Sequence, residues 1–154
     1  MRQNLPRKMP IILLGLLALI FGCNLILFSQ NYSNEVFSIN QFNVEILEVS
    51  KQSENELFVK LNLSNPSLKD IKIITILCNL YYEDKLTAQR YIDFSFEPLI
   101  LKAQSATTYE TTVTVNKITL HKGIQVHLEA RATMETTFFG LRTKSAEVDY
   151  LVTY

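Results

Sequence analysis

Two histidines, His121 and His127, and a scatter of carboxylates are the residues of this chain whose types suit acid–base or metal chemistry. A zinc site or a positioned general base needs such groups at set spacings, and neither an HExxH nor an H-x-E-x-C pattern accompanies either histidine. His127 falls on the polar side of an alternating segment with Gln125 and Glu129, and His121 in a turn beside Lys122. Both are expected to face solvent. Glu83-Asp84, Asp93 with Glu97, and Glu147 with Asp149 fall in a turn or on polar faces, where no cleft raises their pKa values. The chain has no G-x-S-x-G elbow, no glycine-rich phosphate loop and no Walker-type lysine. The expectation is therefore no catalytic residue, no metal and no cofactor. An enzyme would need a pocket that brings His121 or His127 beside a carboxylate.

Cys23 and Cys78 are the two cysteines. Cys23 lies in an N-terminal apolar run and Cys78 within a strongly apolar stretch, so a disulfide between them is not expected. Cys78 reads as a small buried hydrophobe, because no cationic neighbour in sequence would lower its pKa. Two N-x-S sequons occur, at Asn31 and Asn62. Asn31 lies in an accessible polar stretch, and Asn62 on the solvent side of a strand, where it is the poorer acceptor. Phe138, Phe139 and Leu141, around Gly140, form a short apolar patch between strands. It reads either as a hairpin tip that touches a membrane or partner, or as a cap folded over the open end of the core.

The element that positions everything else is the run Met9 to Phe28, which carries no charged side chain. At a rise of about 1.5 Å per residue it spans roughly 30 Å, the thickness of a bilayer's hydrocarbon core. A helix satisfies its own backbone there, whereas an isolated strand does not. The head before it bears Arg2, Arg7 and Lys8 and no acid, so the positive-inside tendency keeps residues 1–8 in the cytoplasm and exports the chain beyond Ser29. A cleaved signal peptide would end in small residues, but the run continues through Leu25-Ile26-Leu27-Phe28 into Ser29-Gln30-Asn31. Gly22-Cys23 resembles a lipoprotein site with bulky Phe21 out of place. The expected division is a basic head over 1–8, a transmembrane helix or signal anchor over 9–29, a polar tether over 30–41 and one domain over 42–154.

After the anchor about 125 residues remain, enough for one domain with a real core. The whole chain carries 15 basic and 15 acidic residues, and the exported part, without the three bases of the head, is mildly acidic. That excludes the clustered basic face a nucleic-acid binder needs.

From Phe42 the periodicity is that of strands. Leu57, Val59, Leu61 and Leu63 alternate with Phe58, Lys60, Asn62 and Ser64, the signature of a half-buried antiparallel strand. Asn65-Pro66-Ser67 breaks it, since proline cannot donate to the ladder. Ile71 to Tyr82 is apolar on both faces and predicts a central strand, with Ile74, Ile76, Cys78, Leu80 and Tyr82 on one side and Ile73 and Leu77 on the other. Glu83-Asp84-Lys85 makes a turn into a strand around Ala88 to Phe96, and Leu99-Ile100-Leu101 reads as a connector. Ala106 to Val115 is rich in β-branched Thr and Val, Ile124 to Thr133 alternates, and Lys144 to Val152 closes the chain. The sum is an all-β domain, a seven-stranded antiparallel β-sandwich, behind one N-terminal transmembrane helix.

The stretch Leu57–Pro66, an apolar strand ending in Asn65-Pro66, resembles the LEA14-like proteins. These are also called the WHy (water stress and hypersensitive response) domain, a folded late-embryogenesis-abundant group. In that family an alternating strand, a Tyr-Tyr hairpin and a Thr/Ser-rich strand come next, and Ile71–Tyr82, Glu83-Asp84-Lys85 and Ala106–Val115 occupy those places here. The hairpin departs from the family in lacking its glycine. The resemblance implies a sandwich of fibronectin-III or immunoglobulin-like shape, no catalytic residues and a role in desiccation or stress protection. Its expected partners are membrane lipid through the helix and stressed client proteins. The competing expectation is an immunoglobulin-like adaptor or accessory subunit of a cell-surface complex.

Overall fold

No proline or glycine interrupts the chain between Gly22 and Gln41, and the helix that begins in the apolar run is not broken at its polar end. In the computed structural model, which describes residues 9–116 and 118–153, helix α1 runs over Met9–Gln41. The stretch 30–41, expected as a polar tether, is thus helical. The basic head over 1–8 lies outside the described residues. The chain divides into two compact units, Met1–Asn34 and Glu35–Tyr154. In the first, the apolar side chains of α1 are exposed, Leu14 at 72%. In the second, the last turns of α1 join the sheets: Ser38 is buried, Ile39 packs on the core and the Phe42 amide donates to the Ser38 carbonyl at 2.9 Å.

Eight strands come after α1 among the described residues: β1 Asn43–Ser53, β2 Glu56–Asn65, β3 Ile71–Tyr82, β4 Lys85–Asp93, β5 Leu99–Leu101, β6 Ser105–Thr114, β7 Gln125–Thr136 and β8 Gly140–Leu151. One sheet has the order β1-β2-β6 and the other β4-β3-β7-β8, with β5 also paired to β3. Every pairing is antiparallel. The count exceeds the expected seven because Leu99-Ile100-Leu101 is a strand rather than a connector. Its three residues pair with Ile73, Lys72 and Ile71, the start of β3 that β4 leaves uncovered.

The two sheets share one core. Leu57, Val59, Leu61 and Leu63 are fully buried, as the alternation of β2 requires, against Ile76, Cys78 and Leu80 of β3 and Val126, Leu128, Ala130 and Ala132 of β7. In β3 the expected faces are corrected. Ile73 is in the core and Ile74 is only half-buried, because the β3–β7 register shifts between Ile73 and Thr75. An extra residue at such an irregularity inverts the parity of side chains on either side of it. Across the sheets, the Lys51 amide of β1 donates to the Tyr150 hydroxyl of β8 at 3.2 Å, and Phe94 meets Tyr109 edge-on at 5.8 Å.

Candidate functional site

Antiparallel pairing brings the polar residues of β3, β7 and β8 onto one outer face of the larger sheet. Asn79 lies opposite Glu129, Tyr81 opposite His127, Glu129 opposite Glu147 and His127 opposite Asp149. Residues directly opposite on one face are the contact unit of a sheet, and the side chains form two linked groups.

The first group centres on Glu129, which is 7% exposed. Its Oε1 accepts from Arg131 Nε at 2.5 Å, and its Oε2 accepts from Asn79 Nδ2 at 3.3 Å and from the Tyr81 hydroxyl at 3.4 Å. Gln89 of β4 donates to Asn79 Oδ1 at 2.9 Å. A buried carboxylate is costly unless paired and hydrogen-bonded. Here Arg131, before the two neutral donors, holds the Glu129 carboxyl below the usual carboxylate range, against the opposing effect of burial. The second group is exposed: His127 Nδ1 lies 2.9 Å from Asp149 Oδ1, and its Nε2 lies 3.8 Å from Glu147 Oε2. The Tyr81 and His127 rings, 6.0 Å apart, join the two groups.

His127 is therefore beside carboxylates, the juxtaposition an enzyme would need. Among the described residues the groups paired with its ring nitrogens are carboxylates, whereas activating a nucleophile needs a hydroxyl or thiol within hydrogen-bond reach. Among the described residues no group of three or more His, Cys, Asp or Glu is arranged to hold a metal ion. The arrangement presents a fixed pattern of charge and hydrogen-bonding groups, suited to contact with a polar surface. His121 stands apart, its Nδ1 3.1 Å from the Thr119 carbonyl. Glu129 is the residue that sequence reasoning misplaces, since alternation puts it in solvent with His127. Its burial depends on Asn79, Tyr81 and Arg131 closing around it, and the spacing Glu129-x-Arg131 is the one local hint.

Asn65 ends β2 in a buried knot, and exposed Pro66 follows it. Asn65 Nδ2 donates to the carbonyls of Lys69 at 2.7 Å, Leu101 at 3.1 Å and Lys102 at 3.0 Å. Its Oδ1 accepts from the Ser67 amide at 3.2 Å and from the Ser67 hydroxyl at 2.6 Å. Asn65 and Ser67 are both fully buried. Proline fits the position between them because it needs no amide donor there. Beside the knot Asp70 pairs with Lys102 at 2.8 Å and accepts from the Ala103 amide at 2.9 Å.

Phe138 and Phe139 are half-buried in the β7–β8 turn and Leu141 is 60% exposed just after it. Glu35 of α1 accepts from the amides of Thr137 and Phe138, and the Arg142 guanidinium carbon lies 5.7 Å from the centre of the Phe139 ring. Asn31 is exposed on α1, and Asn62 is half-buried on β2, donating to Glu45 at 3.5 Å.

No protein-family model matches the chain, and no curated protein matches it. Solved structures do. The chain resembles the solution structure of a protein assigned to the late embryogenesis abundant (LEA) group, with TM-score 0.54 and 14% identity over 88% of each chain. The fold is LEA14-like. Also similar are a solution structure from Arabidopsis thaliana, with TM-score 0.47 and 19% identity over 73% of this chain and 79% of that one, and a crystal structure from Archaeoglobus fulgidus, with TM-score 0.46 and 13% identity over 73% and 96%. At such identities the likeness is one of fold. In this chain Asn65 is the last residue of β2, and Pro66 follows it.

Proposed function

We propose that this chain is a membrane-anchored, non-catalytic domain that shields or binds surfaces at a membrane face, in the manner of desiccation and stress protection. The observation that carries the reading is α1: Ile12–Gln41 contains a helix long and apolar enough to cross a bilayer, and its apolar side chains are exposed. An exposed apolar surface of that size finds its cover in lipid. The basic head then lies in the cytoplasm and the LEA14-like, WHy-type domain, read as a fibronectin-III-like sandwich, lies outside it. The neighbour's LEA assignment supports the stress role. The surface chemistry supports it too: β6 edges the smaller sheet with exposed Thr107, Thr108 and Thr114, and the larger sheet presents the His127–Asp149 face. Such edges and faces hydrogen-bond to client proteins or headgroups when water is withdrawn.

The test reconstitutes the full chain into vesicles, dries and rehydrates them with a labile enzyme, and records residual activity and light scattering. An unrelated single-span protein at equal mass is the control. Protection well beyond the control supports the reading, and protection equal to it overturns the shielding role. Protease protection of the residues after Ser29 in intact cells would overturn the exported orientation.

A second reading, an adaptor or accessory subunit of a surface complex, is favoured by Phe96, fully exposed in the β4–β5 loop, and by Tyr91, exposed on β4. A stable complex recovered through that flank, lost on Phe96→Ser, would support it.

A further inference from the structure

The two ends of the sheet domain expose different chemistry. At one end lie the last turns of α1, the β2–β3 loop with Leu68 and Lys69, and the β7–β8 turn. The register ties them together, with Lys72 opposite both Ile100 and Glu135, and Glu135 opposite Leu141. Leu68 is 76% exposed and Leu141 60%, and Phe138 and Phe139 are half-buried in the turn just before Leu141. Lys69 follows Leu68, and Arg142 follows Leu141 and covers Phe139. The acids of this rim are engaged within the domain: Asp70 with Lys102, Glu135 with Lys72, and Glu35 with the turn amides. At the opposite end the turns Glu54-Asn55, Glu83-Asp84 and His121-Lys122-Gly123 contain no large apolar residue, and the exposed leucines there, Leu86 at 43% and Leu151 at 54%, lie on the flanking strands rather than in the turns.

Exposed leucine beside half-buried phenylalanine, interleaved with cations, is the composition of a surface that lies in a lipid interface, apolar tips below the phosphates and cations among them. We propose that this rim docks on the phospholipid headgroup layer, with Leu68 and the Phe138–Leu141 turn entering the acyl boundary and Lys69 and Arg142 meeting lipid phosphate. The proposal rests on the reading of α1 as a membrane span. From Phe28, the end of the apolar run, to Glu35 the chain reaches at most roughly 25 Å when fully extended, so an anchored chain holds this rim near the bilayer whatever path residues 29–34 take. Tethering also removes most of the cost of bringing two partners together, so a small apolar patch suffices.

The test uses the full chain with Cys23→Ser, reconstituted in phosphatidylcholine vesicles with and without phosphatidylglycerol. Single cysteines placed at Leu68, Leu141 or Lys122 carry an environment-sensitive fluorophore, and quenchers are presented either in the lipid or in the water. Labels at Leu68→Cys and Leu141→Cys are expected to be quenched several-fold more by the lipid-borne quencher than the label at Lys122→Cys. Added Lys69→Glu and Arg142→Glu are expected to reduce that difference, most in the anionic vesicles. Equal quenching at all three positions overturns the docking, as does a Leu68 label quenched from water. In a parallel sample native Cys23 carries the label, and its quenching from lipid shows whether the anchor holds independently of the rim. A Cys23 label quenched from water would overturn the anchor, and the docking with it.

Discussion

The side-chain nitrogen of Asn65, at the end of β2, donates to the backbone carbonyl of Leu101 in β5, 36 positions along the chain, at 3.1 Å. Asn65 belongs to the smaller sheet and Leu101 pairs with β3 of the larger, so one buried amide fastens the two sheets at the end where α1 joins them.

Asn65→Ala takes the side-chain donor from the Leu101 carbonyl and the acceptor from the Ser67 amide, while the Lys69 and Lys102 carbonyls keep the Ser67 and Ser105 hydroxyls. Buried groups left unsatisfied cost about 2–3 kcal/mol in all, which lowers Tm by roughly 5–10 °C for a domain of this size. Asn65→Asp turns a donor into a charged acceptor facing carbonyls and is expected to cost more. Circular dichroism melts of the full chain in detergent decide the matter, and an unchanged Tm for Asn65→Ala would show that the knot adds nothing.

Glu129 makes stability depend on pH. Its folded pKa is lowered, chiefly by Arg131, so the native state favours the carboxylate. That contribution is complete above the unfolded value of about 4.3 and is lost as pH falls through the lower folded value. The Tm of the natural chain should therefore drop on acidification below about pH 5. The Glu129→Gln curve should drop less over the same window. Asp70, lowered chiefly by Lys102, and Asp93, lowered chiefly by the Ser95 hydroxyl, titrate in both proteins, so the difference between the curves isolates Glu129. Parallel curves would contradict the assignment.

The β3–β4 hairpin turns on two residues in the left-handed region, Glu83 at φ 49° and Asp84 at φ 59°. Such a turn favours Asn-Gly, because glycine adopts positive φ without a steric cost. Asp84→Gly relieves about 1–2 kcal/mol of left-handed backbone cost against about 0.5–1 kcal/mol of extra chain entropy, so it should stabilise the domain by roughly 0.5–1 kcal/mol, and Glu83→Asn should add to it. A lower Tm for Asp84→Gly would mean that the Asp84 side chain does more than occupy the turn.

Cys78 is fully buried, and burial pushes its thiol up to about 11. With Cys23 replaced by Ser, the folded chain should not react with an aromatic disulfide reagent at pH 8, and it should release one equivalent on unfolding. Rapid reaction in the native state would place the thiol in a solvent path that the fold does not contain.

Runs and periods are legible in this chain before it folds. The charge-free stretch Met9–Phe28 specifies a helix with no polar face, because an apolar run of that length has no other stable backbone in lipid. The alternation Leu57, Val59, Leu61, Leu63 specifies the buried face of β2, because side chains on a strand alternate. Asn-Pro is legible as a strand end for the same local reason. Which partners those elements meet is settled only when the sheets assemble. Register brought Glu129 under Asn79 and Tyr81 and turned an apparently solvated acid into a buried one. A shift between Ile73 and Thr75 put Ile73 rather than Ile74 in the core at the start of β3, and that start, uncovered by β4, recruited Leu99–Leu101 as a strand. Asn65 became a fastener only when Leu101 arrived from the other sheet. A hydrogen bond across 36 positions leaves no periodic trace in the chain, because its geometry exists only after both sheets have formed.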